Sequence, residues 1–386
     1  MQDNFIPLSI PNVDHEELNL VTECIENNQI SAAGDFTTLF ENKIKSFTNS
    51  KFAVSTNSGT SALHVSLIAI GVKPGDLVLI PSLTFIATAN AVKLCGADPW
   101  LIDIEKENLT LNPSSLRLEL ENNSYSKNGI TTHKLSGKRI SAIVPVYVAG
   151  NPPNMIEIQN IAREFQIPCV VDAAGALGSS PNNKPLSEYG NCQIISFNGN
   201  KVITTGNGGV VCTNDDRLAY AVRHLSTTAR ISDNYEHDMV GFNYRLSNIN
   251  SAIGVAQFRK LEYFLAKKEY VYNFYKNNIL NPLLKPFPNG RYGASSYWLS
   301  GIFISKNTNI SRNEIISKLN ISKISARSFW NPIHLQIPYL NSIKGDLSNT
   351  ESSHKKLITL PCSTNISNAE LSRVVECLND LQIESQ

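Results

Sequence analysis

The chain has 386 residues, of which 42% are hydrophobic and 17% charged, and a formal net charge of +1. That length supports a large domain plus a smaller one around a sizeable core. The near-neutral balance excludes a bulk basic field for nucleic acid or anionic lipid, so any anion site has to be local.

The opening residues "MQDNFIPLSIPNVDHEEL" lack a basic region followed by an apolar one, and no apolar run approaches a membrane span. The expectation is a cytoplasmic protein without a membrane partner. "VDHEELNLVTECI" predicts a helix, with Asp14 as its cap and Glu17 completing a capping box. "KFAVSTNSGTSALHVSLIAIG" reads as a strand, a polar turn and a helix from about Thr60; "GDLVLIPSLTFIATANAVKLCG" repeats the arrangement. The Asn/Ser-rich stretches near 121–136 and 341–353 read as surface loops. "RISAIVPVYVAG", "NMIEIQNIAREFQ" and "IPCVVDAAG" continue as strand, helix and strand. Such alternation predicts an α/β fold with a mostly parallel sheet covered on both faces.

"SNINSAIGVAQFRKLEYFLAKKEYVYNFYKNNIL" reads as one long helical stretch between a large domain, 1–255, and a smaller α+β domain, 256–386. The smaller part carries the strand-like "YWLSGIFI" and a last helix capped by Ser367 with Glu370. Seven cysteines form no CxxC pair and sit mostly in apolar segments, the pattern of buried thiols in a reducing compartment. They suggest neither a disulfide framework nor a metal site.

Ligands of parallel α/β sheets sit outside the carboxyl ends of the strands, and several polar turns of this chain fall there. "TNSGTSAL" opens a helix through a glycine turn, which suits a phosphate, although many helices begin with such residues merely to cap themselves. In "CVVDAAG", Asp172 ends an apolar strand and needs a partner; a backbone turn would serve, as would a protonated ring nitrogen. Lys201, in "SFNGNKVITTGNGG", is the one charged side chain between Glu188 and Asp215. Most lysines are solvated, but one enclosed among neutral residues loses basicity and becomes a nucleophile toward carbonyls. Ser196, five residues earlier, has a hydroxyl to offer a phosphate. Phe85, in the turn of "PSLTFIATAN", either packs in the core or covers a flat heteroaromatic ring. Taken together, these groups are the parts required to hold pyridoxal 5'-phosphate (PLP). "GNGG" lacks GxGxxG spacing, which disfavours a nicotinamide-dependent oxidoreductase.

"NSGTSALHVSL", "PSLTFIATANAV", "VVDAAGALGSS", "ISFNGNKVITTGNGGVV" and "VGFNYRLSNINSAIGVAQFRKLE" resemble, in order and spacing, the nucleotide-sugar aminotransferases of the DegT/DnrJ/EryC1/StrS family. The resemblance runs from about residue 6 to the end. It implies the PLP-dependent transferase fold type I, as in aspartate aminotransferase, and a homodimer with shared active sites. By matching motif, Lys201 resembles the Schiff-base lysine, Asp172 the partner of the pyridine nitrogen and Phe85 the ring-stacking aromatic. Gly59, Thr60 and Ser196 resemble phosphate binders, and Asn243 an asparagine that reaches the phosphate of the neighbouring subunit. Arg327, Trp330 and His334, in "ARSFWNPIHLQ", resemble a stretch near the nucleotide sugar.

"SFNGNKVITTG" with "TTARISDNYEHDMVGFNYRLSN" is most similar to the branch of the bacillosamine and legionaminic acid pathways. The reaction this implies moves the amino group of L-glutamate to a UDP-linked 4-keto-6-deoxy-N-acetylhexosamine, giving the 4-amino-4,6-dideoxy sugar; a dTDP- or GDP-linked keto sugar is the alternative. The related dehydratases replace the lysine by histidine, and a non-catalytic regulator of the same fold would lose the lysine or the aspartate. Both are present here. Three positions depart from the family pattern: Gly175 stands where many members carry Gln or Glu, Tyr147 where His is common, and "GNGG" where a glutamate-containing turn is usual.

Overall fold

Apolar runs such as "LVLIP" and "VVD" carry no polar face, which suits strands covered on both sides. A computed structural model describes residues 4–305 and 308–384. Its main sheet comprises β1 (Phe52–Thr56), β2 (Leu77–Pro81), β3 (Asp98–Ile102), β4 (Ile140–Ile143), β5 (Val170–Asp172), β6 (Cys192–Ser196), β7 (Gly209–Thr213) and β8 (Ile343–Lys344). Pairing gives the two runs β1-β7-β6-β5 and β4-β2-β3-β8. Parallel bridges from Ile143 to Cys169 and from Val146 to Asp172 join them across β4 and β5. β7 is antiparallel to both neighbours; the other pairs are parallel.

The helices are α1 (His15–Glu26), α2 (Asp35–Thr48), α3 (Gly59–Ala69), α4 (Ile86–Leu94), α5 (Pro113–Asn123), α6 (Met155–Glu164) and α7 (Asp216–Ser226). Alternate residues of β2 enter different cores. Val78 and Ile80 share one with α3, α4 and α7, whereas Leu77 and Leu79 share another with α5 and α6. The sheet is therefore covered on both faces, and its polar strand ends are left as the place for a ligand. Asp14 and Glu17 form the expected capping box of α1.

The helical stretch after Ser247 is two helices, α8 (Asn248–Arg259) and α9 (Leu261–Asn278), where the periodicity predicts one. The break is at Lys260, which leaves helical geometry with φ −99° and ψ 2°. Its ammonium is drawn to Glu17 at 2.6 Å, on the first turn of α1, and to the N-cap Asp14 at 3.0 Å. Beyond α9, the strands Leu284–Pro286, Gly301–Ile304, Leu357–Thr359 and Arg327–Ser328 form a small antiparallel sheet in that order. It packs with α10 (Arg312–Ile321) and α12 (Asn368–Asn379), the latter capped by Ser367 and Glu370 as expected.

Both stretches expected to be loops are ordered elements. Residues 124–127 and 130–133 pair as a hairpin. Residues 343–344 become the edge strand β8, and α11 (Ser348–His354) follows, held by Asp103, which accepts the N–H of Thr350 at 2.8 Å. Polar composition marks surface, and these elements are built from long-range pairing that composition does not encode. Among the described residues, no helix is long and apolar enough to cross a membrane.

Candidate active site

The carboxyl ends of β1, β2, β5 and β6 open onto a cavity of about 330 Å³. It is lined by Gly59, Thr60, Phe85, Asp172, Ser196 and Lys201 from the sequence-derived set. Four strand–turn segments separated by many residues thus deliver their polar groups to one space.

The first wall is the start of α3. Ser58 accepts the Ser61 N–H at 3.0 Å, while the N–H groups of Gly59 and Thr60 belong to the unpaired first turn at the positive end of the helix dipole. A Cβ on Gly59 would lie 2.8 Å from the Cβ of Ser196 and 3.0 Å from its Oγ. Only glycine lets the helix begin this close to that hydroxyl. The result is an anion cradle of N–H groups and one O–H.

The second wall is Asp172, buried at the end of β5. Thr88 of α4 donates its hydroxyl at 2.8 Å, and the Ala174 N–H donates at 3.2 Å. Burial pushes the carboxyl above its ordinary range, against those two bonds and the pull of Lys201. A cationic partner inside the cavity would restore the carboxylate.

The floor is the turn that carries Lys201. Phe197 anchors the turn edge-on against Phe40 of α2, with centroids 4.9 Å apart. The Thr205 N–H closes the turn onto the Phe197 carbonyl at 3.0 Å, and α8 holds it from outside through Asn250, which donates to the Thr205 carbonyl at 2.5 Å. Lys201 Nζ sits 3.3 Å from the centroid of the Trp298 ring. Burial lowers its pKa to about 7, although Asp172 pulls the other way. The amine lies deep, while the open mouth leaves the residue as a whole only partly buried.

Phe85, half exposed at the cap of α4, and Trp330 stand at the mouth with ring centroids 5.8 Å apart. Trp330 lines the cavity, but Arg327, His334 and Asn243 do not. Arg327 is exposed on its edge strand. His334 is buried against Ser82 at 2.6 Å, with Glu351 of α11 at 3.6 Å from its other nitrogen. Asn243 is exposed, and its carbonyl accepts from Asn57 at 3.4 Å. Among the lining residues that the sequence reading did not single out are Thr88 and Trp298. Thr88 lies one helical turn past Phe85, a spacing that could have found it; Trp298 has no local signal. Of the departures, Tyr147 and Gly175 both line the cavity; Tyr147 is buried with Cys169 and Tyr189 nearby, and Gly175 lies under Trp298.

An anion cradle, a buried carboxylate and a weakly basic lysine, set at the strand ends of a mostly parallel sheet, define a fold type I transferase that uses PLP. The chain belongs to the DegT/DnrJ/EryC1/StrS aminotransferase family, whose model matches residues 11–379. It is 33% identical to a GDP-perosamine synthase of Caulobacter vibrioides over 98% of both chains. It is 30% identical to the Escherichia coli O157:H7 enzyme of the same name, over 97% of this chain and 98% of that one. Helicobacter pylori PseC, an aminotransferase involved in the biosynthesis of pseudoaminic acid, superposes with a TM-score of 0.85 at 24% identity, covering 97% of this chain and 98% of that chain, and shows the fold. The protein is a PLP-dependent nucleotide-sugar aminotransferase. The cavity fits that cofactor: a phosphate would suit the Gly59 cradle, which any Cβ would close, and a protonated ring nitrogen would be the cation that Asp172 calls for.

Proposed function

We propose that this enzyme transfers the amino group of L-glutamate to the keto carbon of a nucleotide-linked 4-keto-6-deoxy sugar, giving the 4-amino-4,6-dideoxy sugar. The observation that carries the reading is the convergence of Lys201, with its amine held near neutrality, and the buried carboxylate of Asp172 in one cavity. PLP, when bound, supplies an aldehyde that carries the amino group and a ring that draws electrons from the reacting carbon. Lys201 holds the cofactor, takes the proton from the α-carbon of glutamate and returns one to the sugar carbon. Asp172, oriented by Thr88, holds the proton of the ring nitrogen. Gly59, Thr60 and Ser196 bind the phosphate, and Phe85 covers the ring face.

Two relatives named GDP-perosamine synthase, at 33% and 30% identity, support a GDP-linked sugar. A second reading, a UDP-linked N-acetylhexosamine, is supported by the wording of "SFNGNKVITTG" and "TTARISDNYEHDMVGFNYRLSN". Trp330 at the mouth is the better-placed sugar contact, with Arg327 and His334 set outside the cavity wall. The reading includes a homodimer in which Asn243, exposed outside its own cavity, reaches the phosphate end of the second copy's site. It also places the enzyme in a reducing cytoplasm, in keeping with seven unbonded cysteines.

The test offers L-glutamate with a GDP- or dTDP-linked 4-keto-6-deoxyhexose or a UDP-linked 4-keto-6-deoxy-N-acetylhexosamine in parallel, following 2-oxoglutarate and the amino sugar by mass. A preference for GDP of about tenfold or more supports the first reading. A UDP preference passes it to the second, and no amino sugar from any of the three overturns the reaction.

A further inference from the structure

Residue 175 has no side chain, and its space is filled from elsewhere. A Cβ built on Gly175 would lie 2.8 Å from Cδ2 and Cζ3 of Trp298 and nearer still to Cε3, so any other residue there displaces the indole. The segment that carries Trp298 is fastened to residue 175 itself: the Ser296 hydroxyl donates to the Gly175 carbonyl at 2.6 Å. The Ser296 N–H donates to Ser179 at 3.0 Å, and the Ser295 hydroxyl to the Gly150 carbonyl at 3.0 Å. Tyr297, just before the tryptophan, takes φ 50°, a left-handed backbone that a residue with a side chain keeps only where its surroundings fix it.

The indole so held touches the lysine turn at two points. Its Nε1–H donates to the carbonyl of Asn200, the residue before Lys201, at 2.7 Å. Its face, whose one N–H is thereby used, lies under Lys201 Nζ at 3.3 Å. A ring face accepts N–H groups and offers no hydrogen to a lone pair. An amine resting on it keeps its lone pair turned toward the cavity.

We propose that Trp298 is a positioning residue for Lys201, holding the amine with its lone pair toward the substrate carbon, and that the missing side chain at residue 175 is what admits the ring. The inference rests on the reading of Lys201 as the reacting amine. Asp172 is the titratable group that acts on this amine, and it favours the ammonium form. The indole is part of the wall that buries the amine; burial favours the neutral form, and it prevails over Asp172 and over the attraction of the ring face for a cation.

The full-length protein, freed of cofactor, is treated with PLP from neutral to alkaline pH and reduced with borohydride. The labelled peptide is mapped by mass spectrometry, and the initial rate at Lys201 is plotted against pH. Trp298→Leu and Gly175→Gln should each raise the midpoint by about one unit or more, and slow labelling near neutrality about tenfold. Trp298→Phe, which keeps a ring face, should stay nearer the parent protein. Where Trp298→Leu does not fold, Gly175→Ala, whose methyl meets the same ring, reads the same shift. A midpoint that does not rise in folded Trp298→Leu or Gly175→Ala overturns the role of Trp298 and leaves Lys201 as the reacting amine. A label on another lysine of the parent protein overturns the reading of Lys201 beneath it.

Discussion

Lys268 holds Trp298 from behind the cavity: its buried Nζ donates to the Trp298 carbonyl at 3.0 Å, and to that of Cys362 at 2.6 Å. The bond ties α9 and the C-terminal part to the segment that carries the indole. Lys268→Met keeps the apolar stem but takes the ammonium from two buried carbonyls, leaving that of Trp298 only the weak Cys362 thiol at 3.8 Å, so a stability loss of about 1–3 kcal/mol is expected. Burial lowers the lysine's pKa below its ordinary 10.5. Between the lowered value and 10.5 the unfolded chain binds one proton more than the folded one, so this lysine makes the fold more stable as pH rises. The gap between parent and Lys268→Met should therefore widen with pH by up to about 1.4 kcal/mol per unit. Urea unfolding of both proteins at several pH values checks it, and a constant gap would mean that burial does not depress this lysine.

Lys201→Ala removes the amine proposed to hold the cofactor and carry the proton. Release of 2-oxoglutarate should fall at least about a thousandfold. The fold should survive, because the lost side chain lines a cavity and its desolvated amine stabilises nothing by itself. Far-ultraviolet circular dichroism should match the parent, and the visible band of attached PLP should be absent. Normal turnover by this variant would remove Lys201 from the chemistry.

At the other end of the ring, Thr88→Val takes away the 2.8 Å bond to Asp172 while keeping the volume. One of the influences that lower the carboxyl's pKa is then lost, and the protonated form gains. PLP affinity should fall about tenfold, the size of one such hydrogen bond. Asp172→Asn removes the charge altogether and should lower kcat by about a hundredfold or more. Equilibrium dialysis for the cofactor and initial rates for turnover separate the two effects; parent-like values for Thr88→Val would leave the hydroxyl without a role.

The groups legible in the sequence are those whose chemistry is written locally. Asp14 with Glu17 and Ser367 with Glu370 signal their caps within four residues, and Lys201 stands out because its neighbours are neutral. Gly59, Phe85, Asp172 and Ser196 follow from the rule that strand ends face the ligand. What was not legible depends on partners far along the chain. Lys260 breaks a helical pattern because two carboxylates at the start of α1 draw its ammonium aside. β8 exists only because β3 offers an edge to pair with. Trp298 meets Lys201 from 97 positions away through a left-handed turn at Tyr297, a conjunction that no local periodicity contains.

Asn243 offers a direct test of the shared site. Its side chain is exposed outside its own cavity, in the segment after Val240, which is itself 85% exposed. An exposed apolar residue beside a polar group expected at the phosphate end suits an isologous interface between two copies. Asn243→Ala should then weaken the site of the opposite copy, and Lys201→Ala should disable its own. Assayed at limiting PLP, each variant alone should be nearly inactive. Unfolded and refolded together, they should form hybrids in which one site joins the intact Lys201 of one copy to the intact Asn243 of the other. Random pairing makes half of the dimers hybrids with one intact site of two, so about a quarter of the parent activity should return. If mixing restores nothing while sedimentation shows hybrid dimers, Asn243 does not act across the interface; if the protein sediments as a monomer, the shared site itself falls.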